Sequence, residues 1–78
     1  MIHVYTQPNC PPCKATKLAL DKVGIEYVTV DIAEDPLARN FVKNLGYNST
    51  PVVVVSDDWH WSGFKPSELE KLVNPIDL

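Results

Sequence analysis

The chain has 78 residues, 45% of them hydrophobic and 22% charged, and its formal net charge is −3. A chain of this size predicts one domain, residues 1–78, with a thin core, because it buries only about 60% of its unfolded surface. The mildly acidic charge and the lack of a basic run exclude nucleic acid and anionic membranes as expected partners, and we expect a monomer.

Neither a membrane span nor a targeting segment is visible in the sequence. The longest unbroken apolar run, residues 51–55, is far shorter than the roughly 20 residues that cross a bilayer. The N-terminus enters an alternating pattern at once, instead of a basic region followed by a long apolar stretch. The two cysteines lie close together rather than spread as a disulfide framework, which fits a reducing compartment. The predicted location is the cytoplasm.

The first half of the chain has the pattern of a strand, a helix and a second strand. Ile2–Thr6 alternates apolar and polar residues, as a strand does. A helix is predicted to run to Val23, with Pro11 and Pro12 just before or at its first turn and helical periodicity from Cys13 onward. Gly24 ends it. Tyr27–Ile32 alternates again, so this half predicts a βαβ unit with parallel strands. The predicted apolar face of the helix consists of Ala15, Leu18, Ala19, Leu20 and Val23.

A second helix follows, with Asp35 as its cap and proline at its first position. Its apolar face is predicted to consist of Leu37, Ala38, Phe41, Val42 and Leu45.

Two strands and a helix complete the chain. Pro51–Val55 predicts a strand that is buried on both faces, and Trp59–Trp61 predicts its hairpin partner. The last helix is predicted to start near Pro66 or Ser67, with capping-box spacing from Ser67 to Glu70, and to stop at Asn74-Pro75. The tail 74–78 is expected to be loose. The order βαβ-α-ββ-α is that of a minimal thioredoxin or glutaredoxin fold, an α/β fold with a four-stranded mixed sheet and three helices.

Cys10-Pro11-Pro12-Cys13 holds both cysteines and lies between the first strand and the first helix. A Cys-x-x-Cys at such a junction is typical of a redox site. Free amides and the positive end of the helix dipole stabilise a thiolate on Cys10, which attacks a substrate disulfide. Cys13 then attacks the mixed disulfide and releases the reduced product. The sequence therefore predicts thiol–disulfide exchange through Cys10 and Cys13, without a cofactor.

Two other roles of the cysteine pair carry less weight. A structural disulfide that closes so short a loop contributes only about 2 kcal/mol, the weak end of its range. A structural zinc site needs about four ligands. The pair supplies two, and the two histidines, His3 and His60, lack ligand spacing. A metal site is accordingly not predicted.

The residues around Cys10 affect its acidity. Proline has no amide hydrogen, so Pro11 and Pro12 remove two of the three nearest candidate donors to the sulfur. The amide of Cys13 remains, with that of Lys14 as a further candidate, and the Lys14 ammonium group favours the thiolate. We predict a Cys10 pKa near the thioredoxin value of about 7 or above. The reduction potential should lie closer to about −270 mV, as in thioredoxin, than to the glutaredoxin range of about −200 to −230 mV.

Three further stretches of the sequence stand out, and they are Val4-Tyr5-Thr6-x-Pro8-x-Cys10-x-x-Cys13-x-Ala15-Thr16-Lys17, Thr50-Pro51-Val52-Val53 and Trp61-Ser62-Gly63-Phe64-x-Pro66. Together they resemble the NrdH-redoxins, small glutaredoxin-like proteins that behave as thioredoxins. The match covers nearly the whole chain in the right order, and its last stretch separates this family from ordinary glutaredoxins. One departure is Pro-Pro between the cysteines, where the family more often carries Val-Gln, which affects redox tuning rather than the exchange chemistry.

The resemblance implies roles for two further segments. Thr50-Pro51 is expected to form a cis peptide bond opposite the cysteines, although the sequence alone favours trans. The Thr50 amide and carbonyl would then pair with a docking peptide as an added strand. The residues themselves leave two roles open for Trp61, which are core packing together with Trp59 or, together with Phe64, the edge of a partner surface. The predicted substrate-binding residues are Thr50, Pro51, Trp61, Ser62, Gly63 and Phe64.

The resemblance also implies function and partners. NrdH-redoxins reduce the class Ib ribonucleotide reductase, so this chain is expected to donate electrons to that enzyme and to be reduced by thioredoxin reductase. Glutathione is not the expected reductant, because glutaredoxins carry an acidic Gly-Gly-x-Asp-Asp segment where residues 62–66 have no carboxylate and one lysine. The alternatives are a glutathione-coupled glutaredoxin and a non-catalytic thioredoxin-like module that binds a protein or a metal.

Overall fold

The computed structural model describes residues 1–73, so the predicted helix stop at Asn74-Pro75 and the tail 74–78 lie outside the described residues. The element order is the predicted one, and the strand boundaries differ from the predicted boundaries by one residue at most. No helix within residues 1–73 combines the length and the apolar character needed to cross a membrane. The elements are β1 (Ile2–Thr6), α1 (Pro11–Lys22), β2 (Tyr27–Asp31), α2 (Pro36–Asn44), β3 (Val52–Ser56), β4 (Trp59–Ser62) and α3 (Pro66–Val73).

The four strands form one mixed sheet in the order β2-β1-β3-β4, which confirms the predicted fold class. β1 pairs in parallel with β2 and antiparallel with β3, and β3 pairs antiparallel with β4. The central strand β3 is buried on both faces at its start, where Val52 and Val53 are fully buried. Tyr5 pairs with Val52, so the segment after β1 lies beside the segment before β3.

Helices cover both faces of the sheet and create two cores. Side chains of successive strand residues point to opposite faces, so neighbouring valines of β3 enter different cores. The core beneath α1 and α3 contains Val4, Leu20, Val53, Trp61 and Leu69. The core beneath α2 contains Ile32, Ala38, Val42 and Val52.

The buried face of α1 matches the predicted apolar face only in part, at Leu20, which is buried, and at Ala19, which packs against the core. Leu18 and Val23, which the pattern placed inside, are 59% and 47% exposed. Thr16 is fully buried instead, because its hydroxyl donates a hydrogen bond to the carbonyl of Pro12 at 2.8 Å and so satisfies its polar atom within the helix. The helix therefore turns its cysteine-bearing side toward the sheet. Its buried residues are Cys13, Thr16 and Leu20.

Helix α2 begins as predicted but buries less of its apolar face. The Asp35 carboxylate accepts a hydrogen bond from the amide of Ala38 at 3.1 Å, as a cap does. Leu37 is 80% exposed, contrary to the prediction, because only the side of the helix that carries Ala38 and Val42 faces the sheet.

Helix α3 begins at Pro66, one of the two predicted starts, so Ser67 lies inside the first turn and not at the cap position that the capping box requires. The helix is joined to β4 by Trp59, whose indole Nε1 donates to the Glu68 carboxylate at 2.9 Å. This bond and a second one from Lys71, at 3.1 Å, lower the pKa of Glu68. The resulting stabilisation is complete above the ordinary glutamate pKa of about 4.3 and is lost as pH falls through the lowered value.

Candidate active site

The segment between β1 and α1 places Cys10 at the N-terminus of α1. Asn9 has a φ of +58°, a left-handed conformation that asparagine tolerates, and Cys10 is the N-cap with a φ of −121°. Pro11 occupies the first helical position, in agreement with the predicted place of the prolines, and its missing amide costs no hydrogen bond there. The sulfur of Cys10 therefore lies at the positive end of the helix dipole.

Cys10 and Cys13 form a disulfide, with their Cα atoms 5.2 Å apart. Cys10 is partly exposed, whereas Cys13 is only 1% exposed on the buried face of α1. This difference in exposure agrees with the sequence-based expectation. It leaves Cys10 as the cysteine that a partner protein can reach. Within residues 1–73, no group of three or more His, Cys, Asp or Glu side chains is arranged to hold a metal ion.

One backbone amide is directed at the Cys10 sulfur. The amide of Cys13 donates to Cys10 Sγ at 3.2 Å. The amide of Lys14, the other candidate, donates to the Cys10 carbonyl at 3.1 Å and is thereby committed to the helix. Since Pro11 and Pro12 have no amide hydrogen, the sulfur receives fewer hydrogen bonds than an N-cap side chain can accept.

We expect Pro12→Ala to lower the pKa of Cys10 by about one unit. The substitution restores the amide at the second helical position, which is a usual donor to an N-cap side chain. A hydrogen bond to a charged group contributes about 1.5–3 kcal/mol, and one pKa unit corresponds to about 1.36 kcal/mol. Ultraviolet titration of the thiolate in the reduced protein measures the change, and the reduction potential should become less negative.

Pro11→Ala is the matched control for loop rigidity. It relaxes the same loop but adds an amide at the first helical position, which is not a usual donor to the cap. If Pro12→Ala changes the potential without lowering the Cys10 pKa, loop rigidity is the cause and the hydrogen-bond explanation is wrong.

Thr50 lies opposite Cys10, two residues before β3 begins. Its hydroxyl oxygen Oγ1 is 3.3 Å from Cys10 Sγ, and its carbonyl oxygen is 3.6 Å from the same sulfur. Thr50 is 7% exposed, and the Thr50-Pro51 peptide bond is cis, as the resemblance implied. The sequence predicted a role for the Thr50 backbone but not for its hydroxyl. No local pattern relates two side chains that are 40 residues apart.

Two grooves flank this contact. The larger one, of about 640 Å³, contains Cys10 together with Lys14 and Lys17. A smaller one, of about 180 Å³, lies between α2 and Thr50 and is lined in part by Arg39 and Lys43. These four cations are among the seven Lys and Arg residues of the chain, and no carboxylate of residues 1–73 lines either groove. Positive charge near Cys10 favours its thiolate.

The sequence singled out Lys14 but missed Arg39 and Lys43. Their spacing of four residues places them on one side of α2. That spacing does not show that this side meets Thr50, because the contact depends on how α2 and the following loop pack on the sheet.

The structure places Trp61 in the core and Phe64 away from Cys10. Trp61 is 4% exposed and packs with Leu20 and Leu69 beneath α1 and α3, which favours the core role over the edge of a partner surface. Its side chain points inward because it shares a face of β4 with the partly buried Trp59. Phe64 is 42% exposed and lines a groove between α1 and α3 rather than the groove that contains Cys10.

Ser62 and Gly63 support the segment that carries Thr50. The Ser62 hydroxyl donates to the carbonyl of Ser49 at 3.0 Å. Gly63 has a φ of +91°, a conformation that favours glycine, and its amide donates to the Pro51 carbonyl at 2.8 Å. These bonds fix the end of β4 against residues 49–51 and thereby help to hold Thr50 beside Cys10.

Comparison with known proteins agrees with this geometry. The family model described as glutaredoxin matches residues 2–61. The glutaredoxin-like protein NrdH of Lactococcus lactis is 39% identical over 72 residues, which cover 92% of this chain and 99% of that protein. NrdH of Salmonella typhimurium is 37% identical over 71 residues, covering 91% and 86%. The structure of NrdH-redoxin from Escherichia coli superposes with a TM-score of 0.85 at 32% identity, covering 91% of this chain and 92% of that one.

The sheet order and the paired cysteines define a class of protein, the thiol–disulfide oxidoreductases of the thioredoxin fold. The similarity to the NrdH proteins of several bacteria extends over nearly the whole chain and makes a closer assignment possible. This chain belongs to the glutaredoxin family and, within it, to the NrdH glutaredoxin-like proteins.

Proposed function

We propose that this protein donates electrons to class Ib ribonucleotide reductase and is itself reduced by thioredoxin reductase. The similarity to NrdH proteins carries the proposal. The structure of the Escherichia coli NrdH-redoxin is described as the basis for a thioredoxin-like activity profile. The protein works as a cytoplasmic monomer and needs no cofactor besides its own cysteine pair.

The first step is attack by Cys10. Its thiolate bonds to one sulfur of the partner's disulfide, that disulfide breaks, and the second partner sulfur leaves as a thiolate that takes up a proton. Cys10 performs this step because it is the partly exposed cysteine and receives the dipole of α1 and the amide of Cys13.

The second step is attack by Cys13 on Cys10. Cys13 loses its proton, forms a bond to Cys10 Sγ and releases the partner as a dithiol, so two electrons pass from this protein to the partner. The product is the Cys10–Cys13 disulfide present in the structure. Since Cys13 is 1% exposed, its sulfur meets Cys10 rather than an external disulfide.

Thr50 is the proposed docking site for the partner's backbone. Within residues 1–73, neither its amide nor its carbonyl takes part in a backbone–backbone hydrogen bond. An extended partner segment that pairs there adds a short strand beside Cys10. Lys14 and Lys17 line the open groove on the other side of the sulfur.

A second candidate function, glutathione-coupled exchange, has one observation in its favour. Arg39 and Lys43 line the small groove beside Thr50, and glutathione carries two carboxylates that such cations attract. Residues 62–66 oppose it, because they contain a lysine and no acidic group that would hold the amino end of the tripeptide.

We expect thioredoxin reductase with NADPH to reduce this protein much faster than glutathione with glutathione reductase, by about tenfold or more, since each 1.4 kcal/mol of lost recognition costs a factor of ten. Insulin reduction measures both routes, with Cys10→Ser protein as the blank. Comparable rates would mean that the lack of an acidic group in residues 62–66 does not prevent recognition of glutathione.

The ribonucleotide reductase step needs its own assay. The protein, reduced in advance by thioredoxin reductase, should sustain deoxyribonucleotide formation by a class Ib enzyme when no other thiol is present. If the protein reduces insulin but does not support turnover of the class Ib enzyme, the redox function stands and ribonucleotide reductase is not its partner.

A further inference from the structure

The Cys10 sulfur has two polar neighbours on Thr50 that have opposite effects. The hydroxyl of Thr50 is 3.3 Å from Sγ and, since a disulfide sulfur carries no hydrogen, only the hydroxyl can donate there. The carbonyl of Thr50, at 3.6 Å, can only accept. Among the described residues 1–73, the hydroxyl makes no other hydrogen bond.

We propose that the Thr50 hydroxyl donates a hydrogen bond to the Cys10 thiolate in the reduced protein, and so replaces a donor that Pro11 and Pro12 cannot supply. Reduction turns Sγ into a group that is either a thiol or a thiolate. The thiol can donate to the Thr50 carbonyl and does not need the hydroxyl. The thiolate can only accept. Its candidate donors among the described residues 1–73 are then the Thr50 hydroxyl, the amide of Cys13 and the thiol that reduction leaves on Cys13.

The bond matters because it is partly shielded from water. Thr50 is 7% exposed, and a charge-assisted hydrogen bond in such a position is shorter and stronger than a neutral one. The Thr50 carbonyl, which faces the same sulfur, disfavours a negative charge there. Loss of the hydroxyl therefore leaves the thiolate with the amide and the thiol of Cys13 as donors, opposed by an unfavourable carbonyl dipole.

Charged groups near Cys10 act differently from this bond. Lys14 and Lys17 line its groove, and Arg39 and Lys43 line the groove beyond Thr50, whereas no carboxylate of the described residues lines either. Their attraction to the thiolate is screened by salt, since the Debye length falls to about 3 Å at 1 M ionic strength. A direct hydrogen bond persists in high salt, so the two contributions can be separated.

The test is thiolate titration of reduced Thr50→Val and Thr50→Ser proteins at low salt and in 1 M salt. Valine keeps the branched shape and removes the hydroxyl, so the Cys10 pKa should rise by about one unit at both salt concentrations. Serine keeps the hydroxyl and should leave the pKa close to that of the parent. Thr50→Ala provides a second variant without the hydroxyl, should the valine protein not fold as judged by circular dichroism.

The redox equilibrium provides a second signature. A hydrogen bond to the thiolate stabilises the reduced form only where Cys10 is ionised. Relative to the parent, Thr50→Val should lower the equilibrium constant for reduction by nearly tenfold at about pH 9, which corresponds to about 30 mV, but by less than twofold at about pH 6. A purely structural effect would shift both equilibria equally.

An unchanged Cys10 pKa in the valine protein would overturn the inference. So would an equal rise in the serine protein, or a rise that disappears in 1 M salt. None of these measurements involves a partner enzyme, so their outcome is independent of whether ribonucleotide reductase and thioredoxin reductase are the true partners.

Discussion

Cys10→Ser is expected to lower disulfide reduction by about a thousandfold or more, the scale on which removal of an enzyme nucleophile acts. The thiolate is the attacking species, and a serine hydroxyl does not ionise near neutral pH. Insulin reduction measures the loss. The variant should remain folded, because Cys10 is partly exposed at the end of α1.

Cys13→Ser is the matched variant. It keeps the nucleophile and removes the resolving thiol, so Cys10 should form a mixed disulfide with a substrate that persists until an external thiol is added. Mass spectrometry after incubation with oxidised insulin chains detects the adduct. Similar trapping by the two single variants would overturn the division of roles between the cysteines.

Trp61→Ala is expected to lower the free energy of unfolding by about 3–5 kcal/mol, as large aromatic truncations in cores do. Trp61 is 4% exposed in the core beneath α1 and α3, so its loss leaves a cavity. A domain of this size has a total stability of only about 4–12 kcal/mol. Urea denaturation measures the change, and a large fraction of the variant should be unfolded if the parent lies at the lower end of that range.

Trp61→Phe separates packing from the polar atom of the indole. Within residues 1–73, the buried Nε1 of Trp61 has no hydrogen-bond partner, and an unsatisfied buried donor costs about 1–3 kcal/mol. Phenylalanine removes the donor but leaves a smaller cavity, so the two effects oppose each other and the net change should be about 1 kcal/mol or less. A loss as large as that of Trp61→Ala would contradict this balance. If a stable Trp61→Phe protein reduces its partner protein more slowly than the parent does, Trp61 contributes to the partner surface after all.

The order and type of the elements could be predicted because their signals are local. The alternation of Ile2–Thr6, the apolar run at Pro51–Val55 and the acidic cap at Asp35 each depend on neighbouring residues, and each prediction agrees with the structure within a residue. The same locality explains the failure at α1. A polar residue such as Thr16 enters the core by bonding to its own helix, which an apolar pattern does not detect.

The sequence by itself determined the chemistry at Cys10 and Cys13. Their spacing and their position between a strand and a helix specify a redox pair, and the prolines between them limit the amides available to the sulfur. These properties belong to four consecutive residues and require no knowledge of the rest of the fold.

Only the tertiary structure decided what surrounds that sulfur. Antiparallel pairing of β1 with β3 brings Thr50 to Cys10 across 40 residues of sequence, and the packing of α2 adds Arg39 and Lys43 beside Thr50. The physical reason is that burial of apolar surface on both faces of the sheet sets the strand pairing and the helix packing. The positions of the polar residues at the strand and helix ends follow from that packing. The packing of the two cores therefore decides which polar groups meet at the active site, and no local sequence pattern predicts this arrangement.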